Sequence, residues 1–120
     1  MGRLFRVLVF VTIATAPFDM FAKRIPPPHV SPVVYKNVKY SAEGDGRTGY
    51  VVAVDVETGK ELWKAEIFHV QLKALLEEDV QWVFIEDLKL LDKAFFVRDE
   101  KSRCYRLDLA TRRAQKTSCP

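Results

Sequence analysis

Two groups of adjacent carboxylates are the side chains of this chain best suited to acid–base chemistry. They are Glu77-Glu78-Asp79 and Glu86-Asp87. Neighbouring carboxylates can act as general acid and general base, but acidic groups of this kind usually lie in solvated loops or at strand edges. The sequence has no glycine-rich phosphate loop, Gly-x-Ser-x-Gly elbow or His-Glu-x-x-His helix. We therefore predict that the protein is not an enzyme; a small hydrolase or inhibitor whose site assembles only in three dimensions is an alternative.

Potential metal ligands are few. The histidines are His29 and His69, far apart in the sequence, and the cysteines are Cys104 and Cys119. Zinc sites need several such ligands, so we expect neither a metal nor a cofactor. In an exported chain the cysteines are suited to a disulfide, which would fix the C-terminal tail to a predicted strand and contribute roughly 3 kcal/mol. The alternative is a buried, reduced Cys104 and a free Cys119.

Basic residues near the C-terminus form a candidate ligand surface. They are Arg103, Arg106, Arg112 and Arg113. Aromatic residues in the same half of the chain could stack against a sugar or a base, although their position in short apolar strands favours core packing. These aromatic residues are Trp82, Phe84, Phe95, Phe96 and Tyr105. The mixed charges of residues 98–101 are typical of an exposed hairpin tip. With a formal charge of +3 and no long block of like charges, no nucleic-acid partner is expected.

The N-terminal residues have the features of an export signal. Arg3 and Arg6 precede an apolar run over residues 7–16, and this run of about ten residues is too short to span a bilayer as a helix. We predict a signal peptide over residues 1–22, with cleavage after Ala16 or Ala22, and a periplasmic or secreted protein without a stable membrane span. An uncleaved anchor or a buried N-terminal strand is the alternative.

The elements that follow are predicted to be short β-strands. Residues 23–32 are rich in proline, which favours an extended linker. Residues 72–78 are suited to about two helical turns. We predict one β-domain over residues 33–120, with a sandwich or an open barrel among its possible arrangements. The alternating or apolar runs that predict strands are 32–41, 50–56, 61–70, 80–85, 88–91, 94–98, 103–109 and 113–117.

The most informative local pattern begins at Ala53. Asp55 ends a predicted strand, where its carboxylate can accept hydrogen bonds from the turn backbone, and the Thr58 hydroxyl can reach back to it. Gly59 supplies the positive φ that a bulged hairpin turn requires. Trp63 lies in the returning strand, where the small Ala53 leaves room for the indole. The pattern predicts a tight hairpin with a docked tryptophan.

The same positions resemble the tryptophan-docking motif of pyrroloquinoline-quinone-type propeller repeats, whose pattern is Ala-x-Asp-x-x-Thr-Gly-x-x-x-Trp. The resemblance covers residues 50–64. The resemblance implies a blade-type hairpin. In such repeats the motif residues join neighbouring blades by stacking and hydrogen bonding, and they do not hold the quinone. All specified positions match, namely Ala53, Asp55, Thr58, Gly59 and Trp63.

A degenerate echo of the motif follows at Asp108 and Thr111. There Arg106, Arg112 and Lys116 replace the Ala, Gly and Trp, and the missing glycine argues against the same bulged turn. If the echo is more than a chance recurrence, the fold is a small, mainly β, antiparallel domain of two propeller-blade-like meanders. A closed propeller needs more blades of about 40 residues than this chain can hold, so quinone-dependent catalysis is not expected.

The sequence therefore favours an exported, non-enzymatic β-domain that acts as a structural or protein-interaction accessory. Sheet edges that no closed propeller covers could bind an extended segment of a protein partner or of a second copy. The alternative is a small-molecule or glycan-binding module that uses the arginines and aromatic residues named above.

Overall fold

The chain forms two antiparallel β-sheets in a computed structural model, which describes residues 26–120. The first sheet consists of β1 (Val33–Tyr35), β2 (Val38–Gly44), β3 (Thr48–Asp55) and β4 (Glu61–His69), paired in that order. The second consists of β5 (Ile85–Leu91), β6 (Ala94–Asp99), β7 (Cys104–Asp108) and β8 (Ala114–Thr117). A short helix, α1 (Glu78–Gln81), lies between these two meanders. The predicted mainly β fold of two antiparallel meanders, not closed into a propeller, is confirmed.

The N-terminal predictions fall mostly outside the described residues. The predicted signal peptide, residues 1–22, and the first residues of the linker are not among them. Residues 26–32 of the linker have no regular secondary structure, and Val30 packs against the core. No helix within residues 26–120 is long and apolar enough to cross a membrane.

The two meanders share one hydrophobic core. Side chains alternate between the two faces of a strand, and on the central strands every second residue lies in this core. Tyr40 of the first meander meets Phe95 of the second with ring centroids 4.7 Å apart, and Phe68 stacks on Tyr105 at 5.3 Å. Aromatic contacts therefore join the facing sheets. Their aliphatic neighbours in the core include Val51, Ala53, Ile67, Val97 and Leu107.

A two-residue turn begins each meander. Lys36 and Asn37 join β1 to β2 with φ values of 50° and 64°, and Asp92 and Lys93 join β5 to β6 with φ values of 50° and 68°. Turns of this left-handed type match the twist of hairpin strands. The prediction of one continuous strand over residues 32–41 was wrong, because the alternation of apolar and polar residues continues through the turn.

The segment between the meanders, residues 70–84, also differs from its prediction. Residues 72–78 do not form two helical turns, and the predicted strand over 80–85 is replaced by α1 and an irregular stretch. The Gln81 amide oxygen accepts a hydrogen bond from the Lys73 N–H at 2.6 Å. Its nitrogen faces the carbonyls of Lys73, Leu76 and Glu77 at 3.1, 3.2 and 3.2 Å. One side chain thus satisfies backbone groups that a longer helix would pair internally.

Candidate functional site

The hairpin that joins β3 to β4 is built on Asp55. Its Oδ1 accepts a hydrogen bond from the Glu57 N–H at 3.2 Å, and its Oδ2 accepts from the Thr58 hydroxyl at 3.1 Å. The Thr58 oxygen accepts from the Lys60 N–H at 3.2 Å. Gly59 has a φ of 74°, and its N–H donates to the Asp55 carbonyl at 2.8 Å. These polar side chains therefore close the turn and have structural roles.

Trp63 pairs with Ala53 across the ladder of β3 and β4. The half-buried indole lies against Tyr40, with ring centroids 5.8 Å apart. On the same ring, the guanidinium of Arg112 from the second meander lies 5.3 Å from the centroid. The negative face of an indole attracts such a cation. Trp63 therefore connects the turn regions of the two meanders.

Replacement of Trp63 tests this docking. We expect Trp63→Ala to lower the free energy of unfolding by about 3 kcal/mol, because it removes the contacts with Tyr40 and Arg112 and leaves a gap beside Ala53. Urea denaturation followed by circular dichroism measures the change. Leu62→Ala is the matched control on the same strand: Leu62 is 50% exposed, so its loss should stay below about 1 kcal/mol. Equal losses for the two variants would contradict the docking.

The hairpin that joins β7 to β8 has a similar set of hydrogen bonds, except that its aspartate accepts from the threonine N–H and not from the threonine hydroxyl. Asp108 Oδ1 accepts from the N–H groups of Ala110 at 2.8 Å and Thr111 at 3.1 Å. Arg112 occupies the position of Gly59; its φ is 61°, and its N–H donates to the Asp108 carbonyl at 2.7 Å. The N–H groups of Thr111 and Ala110 hold the pKa of the Asp108 carboxyl below its usual value. The missing glycine left this turn in doubt, but Arg112 adopts the left-handed conformation in its place.

Arg112 links the two hairpins. A residue with a side chain costs about 1 kcal/mol in the left-handed region, and the contact of the Arg112 guanidinium with Trp63 offsets part of that cost.

No protein-family model matches the chain, and no curated protein matches its sequence significantly. The likeness to quinone-type propeller repeats therefore rests on the motif, and the shared turn geometry is an observation about this chain alone.

The four arginines of the predicted ligand surface are spread along and beyond β7. Arg103 precedes the strand and its Nε donates to a buried aspartate at 2.9 Å. Arg106 lies within the strand, 3.6 Å from a carboxylate oxygen. Arg112 and Arg113 lie in the turn at the opposite end of β7. The fold therefore does not bring these four side chains to one place.

Asp99, at the end of β6, is fully buried, although the charges around it predicted an exposed hairpin tip. Its Oδ1 accepts from the N–H groups of Lys101 at 2.8 Å and Arg103 at 3.0 Å. Its Oδ2 accepts from the Arg103 Nε at 2.9 Å and the Tyr105 hydroxyl at 3.1 Å. Burial raises the pKa of the Tyr105 phenol, and the Asp99 charge acts in the same direction. Both carboxylate oxygens are thus committed to structural hydrogen bonds.

Three of the acidic residues that could serve in catalysis, Glu78, Glu86 and Asp87, form ion pairs near the surface. The Glu78 carboxylate lies 2.6 Å from the Arg47 guanidinium and accepts from the Trp82 indole N–H at 3.3 Å. Glu86 accepts from Arg98 at 3.0 Å. Within residues 26–120, no group of three or more His, Cys, Asp or Glu side chains is arranged to hold a metal ion. The three paired carboxylates therefore connect neighbouring parts of the backbone.

Cys104 and Cys119 form the predicted disulfide, with Cα atoms 5.2 Å apart. Cys104 is buried in β7, whereas Cys119 is exposed beyond the end of β8. The bond fastens the C-terminal tail to the second meander. Disulfides persist in oxidising surroundings such as the periplasm or the extracellular space, so this bond indicates an oxidising compartment.

Several large apolar side chains are exposed on the segment between the meanders, where the sequence predicted a helix followed by a strand. Leu75 is 98% exposed. The Gln81 side chain hydrogen-bonds to the backbone of this loop. The Trp82 indole packs closely on Gly46: a Cβ atom added to Gly46 would lie 2.5 Å from the indole. The backbone that carries these exposed side chains is therefore held in place by hydrogen bonds and packing. The exposed side chains, together called the leucine patch, are Leu72, Leu75, Leu76 and Val80.

Proposed function

We propose that this chain is an exported, non-enzymatic β-domain that acts as an interaction accessory and binds a protein partner through the leucine patch. The observation that carries the proposal is the exposure of large apolar side chains on one hydrogen-bonded loop. Exposed apolar clusters on folded proteins mark contact surfaces. Full burial of one leucine or valine contributes about 1.5–3 kcal/mol, so a partner that covers this patch gains substantial binding energy.

Other surfaces of the domain are less suited to such a partner. The second meander carries ion pairs on its outer face, such as Arg98 with Glu86 at 3.0 Å, and a partner that covered them would have to desolvate both charges. Charged side chains on an edge strand oppose the addition of a further strand. Edge strand β4 carries Glu61, Lys64 and Glu66, and the opposite edge strand, β1, has no charged residue but is only 3 residues long, which gives a partner strand little to pair with. We therefore favour the leucine patch over the sheet edges that the sequence suggested.

Export and the repeat motif are parts of the same proposal. The apolar run after Arg6 supports a signal peptide, and the disulfide supports passage into an oxidising compartment. The common hydrogen bonds around Asp55 and Asp108 support two copies of one propeller-type unit. The unit then serves as a rigid frame, and the loop between the copies makes the contact.

The leucine patch can be tested by site-specific photocrosslinking in cells that make the protein naturally. We expect a crosslinking residue at position 75 to form a protein adduct in the exported fraction. Position 34 is the matched control, because Val34 is also an exposed aliphatic residue, at 64%. The double variant Leu75→Ser/Leu76→Ser should lose the partner that position 75 captures, while its melting temperature stays within about 3 °C of the parent.

Three results would contradict this proposal. Adducts of equal yield at positions 75 and 34 would show that capture does not depend on the patch. Retention of the partner by the double variant would show that the leucines do not bind it. If correctly exported protein formed no adduct at position 75, the leucine patch would have no protein partner.

A further inference from the structure

The two cysteines of the disulfide differ in their access to solvent. Cys104 lies in β7 and is 4% exposed, whereas Cys119 lies beyond the end of β8 and is exposed. A thiol cleaves a disulfide when its thiolate attacks one of the two sulfurs, and access decides which sulfur is attacked. In the folded protein, attack is therefore directed to the Sγ atom of Cys119.

A cavity of about 40 Å³ lies beside the bond and is lined by both cysteines. It has room for a group of roughly two or three heavy atoms, such as the end of a small thiol. Arg98 also lines the cavity and forms an ion pair with Glu86 at 3.0 Å. Lys89 and Asp87 line it as well, with their charged atoms 3.8 Å apart. Because these charges balance, an anionic thiolate meets no net charge of its own sign.

Few side-chain contacts hold β8 on its sheet. None of its residues is buried, and Ala114 is its contact with the hydrophobic core. Ordering a short chain segment costs conformational entropy, which burial of side chains must offset. The turn before β8 keeps Arg112 at a φ of 61°, and detachment of the strand relieves the part of this strain that the contact with Trp63 does not offset. The disulfide is therefore a principal restraint on β8.

We propose that the disulfide is a redox-sensitive switch: a small thiol attacks Cys119 Sγ, and β8 then detaches from β7 while the two meanders stay folded. The thiolate sulfur forms a bond to Cys119 Sγ, the bond between the two cysteines breaks, and its electron pair leaves on Cys104 Sγ, which takes a proton from water. In the reverse reaction, the Cys104 thiolate attacks Cys119 Sγ, expels the small thiol and restores the disulfide.

This inference goes beyond the proposed function, since it concerns the second meander and stands whether or not the leucine patch binds a protein.

Reaction of the oxidised protein with reduced glutathione tests the site of attack. Acid stops the exchange at successive times, and mass spectrometry of peptic fragments locates the glutathione. We expect at least about tenfold more glutathione on Cys119 than on Cys104. The same reaction in urea is the matched control: the preference should disappear there, because unfolding exposes both sulfurs.

Amide hydrogen exchange tests the detachment of β8. In protein kept reduced by excess dithiothreitol, amides of β8 should exchange at least about tenfold faster than those of β6, which open with the whole domain. In the oxidised protein the bond should slow exchange of the β8 amides roughly a hundredfold, the equivalent of closing a loop of this length.

Any of four results would overturn the inference. Glutathione found mainly on Cys104 would place the attack on the buried sulfur. Equal exchange of the β8 amides in the oxidised and reduced proteins would show that the bond does not hold the strand. One common rate for β8 and β6 in the reduced protein would mean that the whole domain opens together. Cleavage by reduced thioredoxin but not by glutathione would assign the bond to a protein thiol instead of a small one.

Discussion

Asp99→Ala is expected to lower the free energy of unfolding by about 4 kcal/mol. The change removes the acceptor for the N–H groups of Lys101 and Arg103, for the Arg103 guanidinium and for the Tyr105 hydroxyl. Tyr105 is itself buried, so its hydroxyl would lose a partner without gaining water. A buried polar group without a partner costs about 1–3 kcal/mol, and more where a charge is involved.

Asp108→Ala is the matched control for this prediction. Asp108 also accepts hydrogen bonds from two turn N–H groups, at 2.8 and 3.1 Å, but its side chain is 35% exposed. Water can replace the missing carboxylate there, so we expect a loss of about 1 kcal/mol. Urea unfolding followed by tryptophan fluorescence measures both variants. The prediction fails if the two losses are equal, because burial would then not set the cost.

Loss of the disulfide is expected to have the second largest effect. Cys104 and Cys119 are separated by 15 residues in sequence, and closure of a loop of that size stabilises a protein by about 3 kcal/mol in the chain-entropy model. The bond also holds β8, a strand of four residues at the edge of its sheet, because Thr117, the β8 residue that pairs with Cys104, is followed after one residue by Cys119. For a domain of this size we expect a melting temperature lower by roughly 15 °C.

Scanning calorimetry with and without reductant measures this effect. The double variant Cys104→Ala/Cys119→Ala should melt close to the reduced parent and should not respond to reductant. Cys119 is exposed, so reductant reaches the bond without prior unfolding. Identical melting curves of the parent with and without reductant would refute the stabilising role of the bond.

The sequence was most informative where structure depends on near neighbours. The turn at Asp55 depends only on Thr58 and Gly59 in the same hairpin. Its hydrogen bonds could therefore be predicted from the spacing of these residues. The pairing of Cys104 with Cys119 could be inferred because the chain has no other cysteine. The fold class followed from the regular spacing of short strands.

The sequence was least informative where a residue depends on distant contacts. Arg112 adopts a positive φ while its guanidinium contacts Trp63 in the other meander, and local spacing records no such contact. The burial of Asp99 depends on how β6 and β7 pack, although its neighbours in sequence are charged. The leucine patch looked helical because Leu72 to Leu76 suit a helix, but Gln81 provides the backbone partners instead.

Every strand of this domain pairs with its neighbour in sequence, and that order has a consequence for how the chain folds. Contacts between sequence neighbours require little loop-closure entropy, so proteins rich in them fold fast. We therefore predict that the strand pairs within each meander form before the apolar faces of the two meanders associate. A chain delayed before that step exposes Val51, Ala53 and Ile67 on a formed sheet. An apolar sheet face left uncovered in this way is prone to aggregate.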